Sequence, residues 1–427
     1  MMMDVLGADL QQIDPEIADL LDAELGRQES TLDMVASEGF APLSVMQAQG
    51  SVLTNKYAQG YPGKRGYPGC EYVDLVEEAA ARRARELFGA EHANVQPHSG
   101  VQANAVAMMA LLEPGDTILG LDVAHGGHVT HGAPDSFAAR YYNPIAYHVR
   151  EADCLVDMDE VEALARRHRP RLVVAGWSAY TRQLDFARFR AIADECGAYL
   201  MVDMAHFAGL VAAGLHPSPV RHADVVTSTT HKTLSGPRGG IVLTTRELAP
   251  RIDAALFPGH QGGPLPHVIA AKAVAFTIAA TPEFADRQHR TVAGARQIAK
   301  KLLASDSAHE ASVLTGGTDV HLLLVDLRRS QLDGLHAQRR LLDIGVTSNH
   351  RRLPYDPRPR TNSGLRIGTA GLATRGFSVP EFELLAGAIH DALRPELDQQ
   401  TVGRLRSDVT MLARRHPVYP TLRRDHV

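Results

Sequence analysis

The 427-residue chain predicts an α/β fold: a large, mostly parallel sheet covered by helices, followed by a smaller C-terminal α/β domain. Two observations predict it. Short apolar runs alternate with helical segments through the middle of the chain, the pattern of a sheet buried on both faces. From about Pro282 that texture changes to a long helix, a few strands and a final helix. The division this implies is an N-terminal helical segment over 1–30, a large domain over 31–281 and a small domain over 282–427.

Taken in order, Ile13 to Glu29 spaces Ile17, Leu20, Leu21 and Leu25 at helical intervals and reads as a surface helix. Tyr57 to Gly69 is rich in Gly, Pro and Tyr and reads as an ordered loop. Asp74–Phe88 is an amphipathic helix, Ala93–Pro97 a short strand, and Ala103–Leu112 a helix stopped by Pro114-Gly115. Strands are expected at Thr117–Leu121, Leu172–Gly176, Tyr199–Val202, Val225–Ser228 and Ile241–Thr244, with a helix at Phe186–Cys196. Beyond Pro282 come a helix over Phe284–Ser305, strands near Val320–Leu327 and Leu365–Ile367, and a helix near Pro380–Leu393.

Composition narrows the function classes. A net charge of -5 argues against a basic nucleic-acid surface. Three scattered cysteines exclude a disulfide framework and a cysteine-built zinc site, as in a reducing compartment. No apolar run approaches the roughly 18 residues of a membrane helix. Met1 to Leu10 lacks the basic start of a signal peptide, so a cytoplasmic protein is expected. Only six lysines occur, among 44 basic residues, so a lysine in a special setting stands out.

Lys232, in TSTTHKTLSGPRGG, is such a lysine: it follows a strand and could form a Schiff base with a carbonyl cofactor, although taken alone a solvated turn lysine is the commoner reading. Asp203 ends an apolar strand in MVDMAH, where a carboxylate needs a cationic partner such as a protonated pyridine nitrogen, or else caps a helix. Ser99-Gly100 opens a helix and offers backbone N–H groups to a phosphate. The run His125-Gly126-Gly127-His128-Val129-Thr130-His131 lacks the acidic, helical context of a zinc motif, so no metal is expected, and its glycines suit a loop approached by a flat ring. Arg366, in SGLRIGT, can clamp a carboxylate. Together these describe a pyridoxal 5'-phosphate (PLP) site handling an amino acid.

With VMQAQGSVLTNKYAQGYPGKR, NVQPHSG, AHGGHVTHG, VDMAHFAGLVAAG, TTHKTLSGPRGG and FPGHQGGP on view, the chain resembles the serine hydroxymethyltransferases, fold-type I PLP enzymes, from about Asp33 to Val418. The resemblance implies PLP on Lys232, its pyridine nitrogen on Asp203 and its ring under His128. His206 and Ser178 would support the ring substituents, and Ser99, Gly100 and His231 the phosphate. Ser37 and Arg366 would hold the substrate carboxylate. It also implies a homodimer with shared sites, in which Tyr57, Gln59, Gln261, Gly262 and Gly263 come from the partner subunit. Breaking and making the Cα–Cβ bond of β-hydroxy amino acids would be the reaction.

Departures from the family pattern cluster on the side of tetrahydrofolate. Gln59 stands for a catalytic glutamate and cannot shuttle a proton. Gly66-Tyr67 replaces paired tyrosines, leaving Tyr67 at a catalytic position. Val129 replaces a leucine, Arg351 lies where an asparagine faces the pteridine, Gly39 ends what is otherwise ASEN, and Val101 replaces a second phosphate serine. Glu38 and Glu71 are the acids that could compensate for Gln59. This sorting leads to the expectation of folate-independent aldol transfer, of a threonine aldolase or transaldolase type, with an aldehyde acceptor. The alternatives are methylenetetrahydrofolate-dependent hydroxymethyl transfer to glycine or an α-substituted amino acid, and a non-catalytic PLP-binding protein. Neither nucleic acid nor membrane is expected as a partner.

Overall fold

A computed structural model describes residues 5–304, 311–357 and 362–422. Seven strands form the large sheet: β1 (His92–Asn94), β2 (Thr117–Leu121), β3 (Asn143–Tyr147), β4 (Leu172–Gly176), β5 (Tyr199–Asp203), β6 (Val225–Thr229) and β7 (Gly240–Thr244), in the spatial order β1-β7-β6-β5-β4-β2-β3. The five from β6 to β3 pair in parallel, and β7 joins both β6 and β1 antiparallel. Strands β4, β6 and β7 are buried along their whole length. Their side chains alternate between two cores. Val173, Ala175, Leu200 and Val202 enter one apolar cluster, and Leu172, Val174, Met201 and Val225 enter the other. That is why these segments read as continuous apolar runs rather than as alternating ones.

Helix boundaries follow their caps. Ser99 has extended backbone and its side chain accepts from Gln102 N, so the expected helix at Ala103 begins at Gly100 and runs to Leu111. Asp185 caps Phe186–Cys196, which ends at Gly197 in the left-handed region. The expected helix from Ile13 starts instead at Pro15, behind an Asp14 cap, and runs to Ser30. The helix Pro266–Ala279 escaped the sequence reading because it is apolar nearly all round and shows no helical stripe.

The second sheet is antiparallel, with β8 (Ser312–Val313), β9 (Leu322–Asp326), β10 (Asn349–Arg351) and β11 (Gly364–Gly368) in the order β8-β9-β11-β10. The long helix is Pro282–Leu303, and Val379–Ala392 and Gln399–Arg415 pack in the same apolar cluster. Ser305, the expected end of the long helix, lies outside the described residues. Leu32–Asp33 pairs in parallel with Val346–Thr347. This pairing carries the following residues, Ala36 and Ser37, against β11. Among the described residues no single helix is long and apolar enough to cross a membrane. One bent helix pair passes that test on composition, but much of it lies in the cores.

Candidate active site

The C-terminal ends of β4, β5 and β6 converge, as expected for ligand sites on parallel sheets. Asp203 is the last residue of β5. It is buried, and its two oxygens accept from Ala205 N (3.0 Å), Asn104 Nδ2 (2.8 Å) and His131 Nε2 (3.1 Å). Burial alone would raise its pKa. Donation from His131, with the nearby His128 and Lys232, outweighs this and holds the carboxylate far below its ordinary range. Asn104 is itself fixed by Thr227 Oγ1 (2.6 Å) and by its own bond to Thr130 Oγ1 (2.8 Å).

Lys232 lies just beyond β6, 8% exposed, and among the described residues no group bonds its amine. Burial lowers its pKa to about 8, against a raising pull from Asp203 and a lowering push from Arg366 and Arg238. A buried, unclaimed amine with a depressed pKa is a ready nucleophile toward a carbonyl.

His128 receives Thr130 at its Nδ1 (2.7 Å), and burial lowers its pKa to about 4, so the ring is neutral near pH 7. The ring nitrogens of His128 and His131 and an Asp203 oxygen lie within 4.8 Å of one another, a spacing that a metal ion could use. The donors already aimed at Asp203 suit one further N–H better, such as a pyridinium. The glycines between the histidines serve a different purpose from the one their sequence suggests. A Cβ at Gly126 would come within 2.3 Å of Ala179 O, and one at Gly127 within 1.9 Å of Leu121 O. They let this loop lie against the backbone beyond β4 and at the end of β2, and thereby fix where His128 starts.

Ser178 and His206 line the same region. Ser178 O accepts from Arg366 Nη1 (2.7 Å). His206 is held neutral by burial and clusters with Trp177 and His321, 5.5 Å from each, while those two rings lie 6.1 Å apart. Arg366 is buried in β11. It also donates to Asn349 Oδ1 (3.0 Å) and reaches Ser37 Oγ (3.5 Å). Burial, then Arg351, lowers its pKa to about 10. No carboxylate pairs with it among the described residues.

For a phosphate, Ser99 and Gly100 present the start of a twelve-residue helix, and the buried Nδ1 of His231 has no partner among the described residues. An orphaned nitrogen, a helix start, an unclaimed lysine and a charged aspartate fit PLP as a set.

The remaining expected residues stand apart. Tyr57 and Tyr67 pack edge to face at 4.9 Å, and Gly263 lies against the Tyr57 ring. No hydrogen bond joins this exposed patch or the Gln59 side chain to Lys232, Asp203 or Arg366 among the described residues. Gln261 is committed within its own chain, where its amide accepts from His98 N (3.1 Å) and donates to Gln96 O (3.2 Å). Glu71 is exposed at a helix start. Glu38 is exposed, and the neighbouring Asp33 carboxylate, ahead of partial desolvation, pushes its pKa up to about 7.

Asn104, His131 and Lys272 escaped the sequence reading as site residues. Lys272 is wholly buried and donates to Val95 O (2.7 Å), Pro97 O (2.9 Å) and Gly240 O (2.8 Å), tying the segment before Ser99 to β7. A buried lysine with three carbonyl acceptors has no sequence signature. Lys272→Met removes three hydrogen bonds, and because Pro97 O keeps a bond from Gly240 N (3.0 Å) while Val95 O and Gly240 O lose theirs to the amine, a loss of about 2 kcal/mol or more is expected in urea denaturation. An unchanged midpoint would show that the bonds contribute nothing net.

Comparison with known sequences bears on the same region. A sequence model described as serine hydroxymethyltransferase matches residues 10–389. A protein of Kineococcus radiotolerans named serine hydroxymethyltransferase is 62% identical over 414 residues, covering 96% of this chain and 95% of its own length. One of Mycobacterium tuberculosis, named serine hydroxymethyltransferase 2, is 61% identical over 425 residues, covering 99% of this chain and all of its own. A Nocardia farcinica relative of the same name as the first is 59% identical over 420 residues, or 98% and 97% of the two chains.

Proposed function

Because the chain belongs to the serine hydroxymethyltransferase family, and so is a PLP-dependent transferase, we propose that it moves the hydroxymethyl group of serine to tetrahydrofolate, leaving glycine. Arg366 carries the amino-acid half of this reading. A buried guanidinium without a carboxylate partner among the described residues, close to Lys232 and within reach of Ser37, suits an α-carboxylate. The folate half is supported by the full-length relatives, all named for that reaction. They favour it over the folate-independent aldol transfer that Gln59 and Gly66 suggest from sequence.

When bound, PLP supplies the electron sink for the pair left on Cα as the Cα–Cβ bond breaks. The chain's own residues do the rest. Lys232 would hold the cofactor through its unclaimed amine. Asp203, fixed as an anion by Asn104, His131 and Ala205, keeps a proton on the pyridine nitrogen. His128, neutral, offers an uncharged ring face. Arg366 and Ser37 orient the substrate through its carboxylate, which sets the Cα–Cβ bond against the ring.

The exposed Val52, Tyr57, Tyr67, Tyr72 and Leu75 surround the loop that holds Gln59. A solvent-facing apolar patch of this kind supports a homodimer in which that loop completes the partner subunit's site.

The test is conversion of labelled serine to glycine with and without tetrahydrofolate. Stimulation of about 10²-fold or more is expected, the scale of a lost or gained proton-transfer partner. A rate indifferent to tetrahydrofolate, with threonine cleaved faster than serine, would restore the aldol reading.

A further inference from the structure

The register of the second sheet places two arginines on one face. Asn349 of β10 is the cross-strand partner of Arg366, and Arg351 is the partner of Gly364. Side chains two apart on a strand share a face, so Asn349, Arg351 and Arg366 point the same way, while His350 turns aside to Gln338 (2.6 Å). Arg351 and Arg366 are thus diagonal neighbours, and Gly364 leaves no side chain between them. The Arg351 charge is felt at Arg366 and at His128.

Arg351 differs from Arg366 in having nothing to hold. Among the described residues its guanidinium makes no hydrogen bond and no ion pair, although it is half-buried and burial lowers its pKa with no acidic neighbour opposing this. It lines a cavity of about 740 Å³, with Leu121, Asp122, His125, His131 and Asn362 also on the wall. Asp122, the one acid there, already caps a turn by accepting from Ala124 N (2.7 Å). Two neighbouring guanidiniums, one buried and one half-buried and neither paired with a carboxylate among the described residues, repel each other in the free protein. An oxyacid group on a ligand would relieve this.

We propose that Arg351 binds a second anionic group, so that the site accepts β-hydroxy amino acids whose side chain carries a carboxylate. This rests on the assignment of PLP to Lys232 and of the α-carboxylate to Arg366, and it goes beyond serine as substrate. With 3-hydroxyaspartate the Cα–Cβ bond breaks and its electron pair stays on Cα, which gains a proton. The hydroxyl loses its proton as the carbonyl forms. The products are glycine and glyoxylate, with no oxidant or reductant needed. Arg351 holds the side-chain carboxylate throughout and touches no breaking bond.

L-Aspartate and L-asparagine have one shape and differ in charge, so calorimetric titration of each into the PLP-loaded protein isolates the second anion. Wild type is expected to prefer aspartate by about tenfold or more, the usual worth of a charge-assisted bond. Arg351→Asn should erase the preference and Arg351→Lys keep part of it. Without ligand, Arg351→Asn should melt no lower than wild type, because a repulsion is removed; a structural arginine would behave oppositely. Cleavage of 3-hydroxyaspartate relative to threonine should follow the same order. Equal binding of the two probes by wild type, or a preference that survives Arg351→Asn, overturns the proposal. So does a variant whose only change is weaker coupling to tetrahydrofolate, since Arg351 would then serve the one-carbon carrier. Serine conversion measured alongside separates these outcomes: its failure in wild type sinks the hydroxymethyltransferase reading and leaves the aspartate comparison to stand by itself.

Discussion

Lys232→Ala is expected to lower turnover by about 10³-fold or more while leaving the fold intact. The amine bonds no other group among the described residues, so its removal orphans nothing, and the buried methylenes are the only packing lost. Borohydride reduction followed by mass spectrometry gives the direct readout: wild type should carry a PLP adduct on the Lys232 peptide, and the variant none. The pH dependence has a definite sign. Attack on the aldehyde needs the neutral amine, and burial lowers the lysine from its ordinary 10.5 to about 8. Uptake of PLP by the apo-protein should therefore accelerate as pH rises through about 8 and level off above it. A midpoint near that of an ordinary lysine would show that the site is open to water.

Asp203→Asn is expected to cost about 10²–10⁴ in rate, the range for loss of a group that sets a proton in place. The amide is close in shape, and one of its atoms can still accept from Ala205 N or Asn104. It cannot hold a pyridinium, and its NH₂ would face the His131 and Asn104 donors. Because Asp203 raises the Lys232 pKa, its loss should also move the PLP-uptake midpoint lower still. A variant with wild-type turnover and an unmoved midpoint would mean that Asp203 is a helix cap and nothing more.

How far the sequence revealed this site depends on where the information lies. Strands such as Leu172–Gly176 and Tyr199–Asp203 were legible because burial on both faces makes them uniformly apolar. Lys232, Asp203 and Arg366 were legible as isolated chemical oddities next to such strands. What joins them was not. Asn104, Thr227, Thr130 and His131 converge on Asp203 from segments up to about a hundred residues away, and each looks ordinary in its own segment. The fit of Gly126 and Gly127 to Ala179 and Leu121 is likewise a contact between segments, so their spacing suggested a ligand instead. Arg351 showed in sequence only as a departure near the pteridine position. Its pairing with Arg366 needed the register of β10 on β11. Pro266–Ala279 hid for the opposite reason: it is buried too completely to leave a stripe.

One spectrophotometric titration tests the central claim, that the amino-acid site and a folate site work together on this chain. Glycine is added to the PLP-loaded protein, then tetrahydrofolate, and the long-wavelength absorption band is followed. The hydroxymethyltransferase reading predicts a weak band with glycine that grows several-fold when tetrahydrofolate binds. A band that forms with glycine and does not respond to tetrahydrofolate at any concentration would contradict it.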